Sequence, residues 1–213
     1  MGIVAVLEEL SLLVQRGRAP AVKDKVALAI EEGISPKQIL EEGLLEGMNV
    51  IGEKFKINKV FVPEVLLAAR ALDAGIAALK PLLVDAGVEE KGTVVIGTVK
   101  GDLHDIGKNL VKLMLEGKGL KVIDLGVDVP AEKYVAAAQE NEASIICCSA
   151  LLTTTMNEMK RVVELVKTSS LNGKVKVMIG GAPVTQNFCE TIGADRYTPD
   201  AATAAQVALE YCS

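Results

Sequence analysis

The chain has 213 residues and a formal net charge of −5, with half its residues hydrophobic, 3% aromatic and no tryptophan. That length can bury a substantial core, in one fair-sized domain or two small ones, built from Ala, Val, Leu and Ile. The acidic balance argues against nucleic acid or an anionic membrane surface as partner, and no apolar run approaches the roughly 20 residues a bilayer span needs.

In chain order, Met1 to Gln15 is apolar but carries Glu8 and Glu9. It lacks a basic leader and a small-residue cleavage site, which predicts an amphipathic helix and not a signal peptide. Residues 1–88 read as helix throughout, with helices expected near 3–15, 19–32, 36–54 and 62–85. Ser35-Pro36-Lys37-Gln38 supplies a cap, a proline at the first helical position and a glutamine placed for a capping box. Gly33 is placed to end the preceding helix. Pro63 falls in a first turn, where it is tolerated. Short connections of this kind favour a small antiparallel bundle.

From Gly92 the periodicity changes. Strands are expected at 93–99, 121–125, 143–149, 175–180 and 194–197, and helices at 106–117, 131–141, 154–168, 184–192 and 201–211. This alternation predicts an α/β domain with a five-stranded parallel sheet, right-handed crossovers and flanking helices. The expected organisation is a four-helix bundle over 1–88 and a Rossmann-like domain over 89–213, with a charged boundary near Val88 to Gly92. The four cysteines form no scaffold. Cys147 and Cys148 are adjacent in an expected strand and point to opposite faces, Cys189 and Cys212 are isolated, and buried thiols in a reducing cytosol are expected.

Three loops carry the unusual residues, each after a strand: Gly101-Asp102-Leu103-His104-Asp105-Ile106-Gly107, then Ser149 to Thr155, then Gly180-Gly181-Ala182-Pro183. In a flavodoxin-like order 2-1-3-4-5 the first two flank the topological switch point, and the third completes the rim of one crevice. Each loop also has an ordinary reading. A lone histidine in a loop is commonly solvated or capping, the threonine run can cap a helix near Met156, and Gly180-Gly181 can be a turn. A phosphate-binding loop of the Walker type is absent, and no Gly-x-Gly-x-x-Gly follows the first strand. Zinc would want three or four clustered ligands. A phospho-receiver would need a phosphorylatable aspartate after the third strand, where Ser149-Ala150-Leu151 stands. One histidine suffices if a metal arrives in its own macrocycle.

Asp102-x-His104-x-x-Gly107, Ser149-x-Leu151 and Gly180-Gly181 together resemble the signature of cobalamin-binding domains of the methionine synthase type. The strings GDLHDIGKNLV, DLGVDVP, SALLTTTM and VKVMIGGAPVTQ resemble the small corrinoid proteins of anaerobic methyltransferase systems more closely still, and the likeness extends to Gly52-Glu53-Lys54-Phe55 and Phe61 to Leu66 in the helical half. The resemblance implies a bound cobalamin or related corrinoid in the base-off/His-on state. His104 is then the lower cobalt ligand, Asp102 its hydrogen-bond partner, and Thr155 (where the family pattern has serine) the hydroxyl that extends the relay. It assigns cofactor contacts to Asp102, Leu103, His104, Asp105, Ile106 and Gly107, to Ser149, Leu151 and Thr153, and to Gly180 and Gly181. Phe61 matches a cap aromatic over the upper face, although sequence alone reads it equally as a core residue.

The implied function is a methyl shuttle, not catalytic alone. It would run between a substrate-specific methyltransferase (for methanol, methylamines, betaines or aryl methyl ethers) and a second methyltransferase with a pterin or thiol acceptor. A reductive activator and an anaerobic cytoplasm belong to the same picture. Cobalamin-dependent sensors use this fold too, but would be expected to add a DNA-binding or signalling domain. A metal-free receiver-like domain is the remaining alternative.

Overall fold

The computed structural model describes residues 2–86 and 90–212, and the chain divides into two compact units, Met1–Glu89 and Glu90–Ser213. Val88 and Glu89 of the expected boundary lie outside the described residues.

The first unit is helical: α1 Ile3–Gln15, α2 Ala19–Glu31, α3 Pro36–Gln38, a π-helical segment Ile39–Leu45, α4 Glu46–Lys56 and α5 Val62–Asp85. Its core is aliphatic, with Val6, Leu10, Val14, Val22, Val26, Leu44, Met48, Val65 and Leu72 almost wholly buried. Gly33 ends α2 with φ +79°, while the Gly33 and Ile34 N–H groups donate to Ile30 and Ala29. The Ser35 hydroxyl accepts from the Gln38 N–H at 3.3 Å and lies 3.1 Å from Gln38 Oε1, so the cap forms.

The uninterrupted helix expected over 36–54 is corrected by the π segment. Gly43 and Gly47 lie against α1, where a β-carbon at Gly43 would come 2.6 Å from Leu10 Cδ2 and one at Gly47 2.7 Å from Val14 Cβ. An apolar pattern within one helix does not distinguish i→i+4 from i→i+5 hydrogen bonding over so short a segment.

The second unit is the expected Rossmann-like domain. Its strands are β1 Thr93–Thr98, β2 Lys121–Asp124, β3 Ile145–Ser149, β4 Lys176–Gly180 and β5 Arg196–Tyr197. They are all parallel, in the order β2-β1-β3-β4-β5. The helices are α6 Ile106–Glu116, α7 Ala131–Glu140, α8 Met156–Thr168, α9 Gln186–Ile192 and α10 Ala201–Cys212. Side chains alternate across the sheet. One face carries Val95, Ile146, Cys148, Val177 and Ile179 into a core with Tyr134 of α7, Met159 and Val163 of α8, and Cys189 of α9. Cys147, Cys148 and Cys189 are buried, Cys212 is partly exposed, and all four are free thiols. Among the described residues, no helix is long and apolar enough to cross a membrane.

Candidate functional site

With β1 and β3 adjacent and β2 and β4 outside them, the loops after β1 and β3 meet at the switch point. Asp102 is the residue that joins them. Its side chain is fully buried and accepts five hydrogen bonds. Oδ1 takes His104 Nδ1 at 2.6 Å and the His104 N–H at 3.1 Å. Oδ2 takes the Leu151 N–H at 2.7 Å, the Leu152 N–H at 3.2 Å and the Thr155 hydroxyl at 3.0 Å. Burial alone would favour the neutral acid. The Leu151 N–H, the imidazole, the His104 N–H and the Thr155 hydroxyl outweigh it and hold the carboxyl well below the usual carboxylate range.

An ionised Asp102 can only accept, so the Nδ1 facing it must carry the proton. In neutral His104 the lone pair is then on Nε2. The imidazole is half exposed, and among the described residues Nε2 has no hydrogen-bond partner. In the same two loops, Leu103 and Ile106 are 72% and 75% exposed, and Leu151 and Leu152 are 43% and 41% exposed. Four bared aliphatic side chains on the loops that Asp102 joins, together with a free ring nitrogen, fit a large, partly apolar group bearing a metal. Among the described residues no cluster of three or more His, Cys, Asp or Glu stands ready for a bare ion.

The remaining expected residues separate by their surroundings. Thr155 stands at the N-cap of α8 but makes no capping hydrogen bond; its hydroxyl lies between Asp102 Oδ2 and the Leu152 carbonyl. The capping reading of the threonine run is therefore corrected for this residue. Ser149 and Thr153 have hydroxyls without a partner among the described residues, Ser149 half-buried and Thr153 exposed. Asp105 precedes α6 and its Oδ2 accepts from Asn109 at 3.2 Å. A β-carbon at Gly107 would meet nothing within 4 Å, so the first turn of α6 is open on that side.

Gly181 differs. Its φ is +132° and a β-carbon there would overlap the Ala150 carbonyl, so this glycine lets the β4 loop close on the β3 loop. Phe61, in the helical unit, is 64% exposed, which corrects its reading as a core residue.

Sequence reasoning passed over the residues that brace the histidine loop. The buried Thr98 hydroxyl donates to the His104 carbonyl at 2.8 Å. Asp128, at φ +54°, accepts the Gly101 N–H at 2.7 Å. Lys108, 2% exposed, places its ammonium 2.7 Å from both oxygens of Asp124 and ties the first turn of α6 to the end of β2. The available signal was the pair of aspartates in the DLGVDVP string, whose partners are remote in sequence.

A family model described as "B12 binding domain" matches residues 92–208, and a second of the same description matches residues 6–80. The chain is 45% identical over 192 residues to a dimethylamine corrinoid protein of Methanosarcina barkeri, covering 88% of this chain and 90% of that one. It is 40% identical over 209 residues to a corrinoid protein of Desulfitobacterium hafniense, covering 97% of each. The crystal structure of a methanol:cobalamin methyltransferase complex from Methanosarcina barkeri matches with a TM-score of 0.88 at 32% identity, over 98% of this chain and 80% of that one.

Proposed function

The chain belongs to the B12-binding-domain family of corrinoid proteins, and from that premise we propose that it is a methyl carrier in which His104 Nε2 is the lower axial ligand of a base-off corrinoid. One observation carries the reading: a buried aspartate behind the ring leaves the lone pair of the only histidine free, in a loop that also bares Leu103 and Ile106.

When bound, the corrinoid supplies a cobalt centre that takes up and gives away a methyl group; the rest of the chemistry is the protein's. Asp102 fixes the tautomer and strengthens Nε2 as a donor, as carboxylates do behind metal-bound imidazoles. Off the metal, Nε2 can hold a proton, and the Asp102 carboxylate lies opposite to balance the charge. Thr155 keeps the second carboxylate oxygen engaged so that the first stays aligned with Nδ1. Leu103, Ile106, Leu151 and Leu152 exclude water from around the ligating nitrogen. Ser149 and Thr153 offer free hydroxyls and Gly107 offers open space, while the ring of Phe61 in the helical unit is exposed. Gly181 closes the rim.

Two of the relatives are named for dimethylamine and methanol, which supports a methyltransferase partner for small methylated amines or alcohols. A second methyltransferase with a pterin or thiol acceptor, and a reductive activator, complete the cycle. The free thiols fit a reducing compartment, and we place the carrier in the cytoplasm.

Because the chain has a single histidine, labelling with heavy-nitrogen histidine marks His104 alone. Reconstituted with cobalamin and reduced by one electron, the protein should show a nitrogen triplet in its electron paramagnetic resonance spectrum that becomes a doublet on labelling. His104→Ala should lose that coupling while still taking up the corrinoid weakly. An unlabelled-type triplet in the labelled protein would mean that the vitamin's own base stays on the metal, and would end the proposal.

A further inference from the structure

The loop between β2 and α7 runs along the end of β1. The Thr98 N–H donates to the Gly126 carbonyl and the Thr98 carbonyl accepts from the Val129 N–H, each at 3.0 Å, and Val99 pairs with Val129 in parallel. Between these anchors the chain turns at Asp128, whose φ is +54°. In that left-handed conformation one residue holds both sides of the Gly101–Asp102 step. The Asp128 N–H donates to the Asp102 carbonyl at 3.0 Å, and its Oδ1 accepts the Gly101 N–H at 2.7 Å. Gly101 has φ +81° in a turn closed by the Asp102 N–H on the Val99 carbonyl at 3.1 Å, as a type II turn requires.

Asp102 is therefore held at two ends. The loop after β3 grips its carboxylate, and Asp128 grips its main chain. Where those two grips place Asp102 Oδ1 decides where the imidazole points. Glycine would adopt the backbone of residue 128 without the steric cost that an aspartate bears. What the side chain adds is the charge-assisted hydrogen bond to Gly101. Strained backbone of this kind gathers where a functional geometry has to be fixed.

We propose that Asp128 is a positioning residue for the cobalt ligand: through Gly101 and the Asp102 main chain it holds the Asp102–His104 pair in the orientation that ligates. The proposal rests on His104 being that ligand. Asp128 acts by geometry and not by charge, so an asparagine, which keeps the acceptor oxygen and tolerates the left-handed turn, serves equally.

The test is a mutant cycle read by spectrophotometric titration with aquocobalamin. Asp128→Gly keeps the turn and removes the acceptor. It should bind cobalamin roughly five- to tenfold more weakly than the wild type, the effect of one hydrogen bond, and Asp128→Asn should bind as the wild type does. In a His104→Ala background Asp128→Gly should cause no further loss. In the corrinoid-free protein, nitrogen NMR of the single histidine should show Asp128→Gly shifting the neutral ring toward the Nε2–H tautomer. An equal loss with and without His104, an asparagine variant as weak as the glycine one, or a glycine variant that no longer folds overturns the proposal and leaves His104 ligation standing. Wild-type affinity in His104→Ala alone removes the ligation reading, and this proposal with it.

Discussion

Thr155 Oγ1 lies 3.0 Å from Asp102 Oδ2, across 53 residues of chain, and it reaches there from the N-cap position of α8 instead of capping that helix. The carboxylate that orients the imidazole is thereby also the anchor of the loop after β3, since the Leu151 and Leu152 N–H groups bind the same oxygen. Ligand orientation and the shape of the opposite wall depend on one buried group.

Asp102→Asn should therefore cost both. An amide presents only one oxygen to five donors and turns an NH2 toward some of them, so a loss of about 2–4 kcal/mol in unfolding free energy is expected from denaturant titration. The pH dependence has a definite sign. The folded carboxyl is held below its ordinary value of 3.8, so the unfolded chain binds the proton first. The contribution of Asp102 is complete above pH 3.8 and is lost as the pH falls below it toward the folded value. The variant should lack this part of the acid sensitivity. Parallel acid limbs for the two proteins would contradict the assignment.

Thr155→Ser should preserve the hydrogen bond and behave nearly as wild type, whereas Thr155→Val should lose about 1–2 kcal/mol. Amide hydrogen exchange gives the finer reading. In the valine variant the Leu151 and Leu152 amides should exchange faster, because their acceptor loses one of its restraints.

Gly107 and Gly181 should separate cofactor space from backbone necessity. Gly107→Ala adds a methyl to open space in a helical first turn, so the corrinoid-free protein should be unchanged or up to about 1 kcal/mol more stable. Corrinoid binding should nonetheless weaken. Gly181→Ala places a methyl on the Ala150 carbonyl at a left-handed φ and should cost about 3 kcal/mol or more before any cofactor is added. Equal stability of the two variants in thermal melts would refute this division.

The thiols give a rapid check of the sheet. Burial pushes the Cys147 thiol up to about 12 and raises Cys148 as well. Cys189 is buried, while Cys212 at the end of α10 is partly exposed. A chromogenic disulfide reagent at neutral pH should find about one reactive thiol in the native protein and four after denaturation, and Cys212→Ser should abolish the native signal.

The helices and strands were legible to within a residue or two because burial imposes its own period on each element. The 3.6-residue stripe of α1, the apolar runs of β1 and β3 and the start signal at Ser35 are local facts. The π segment at Ile39–Leu45 was not legible, since the apolar positions over 36–54 fit an unbroken α-helix equally well. The braces on the histidine loop escaped because Thr98 and Asp128 are polar residues of common type, and only the folded chain gives them partners.

Residue order by itself determined the alternation of strand and helix, the parallel sheet it requires and the three loops at one end of it, because periodicity and chain connectivity are properties of the string. The tertiary structure decided which proton His104 carries, which hydroxyls are spent and which are idle, and which glycine makes room while another closes a seam. Those outcomes turn on distances of about 3 Å between residues tens of positions apart, over which hydrogen bonds form or fail, and no local pattern encodes them.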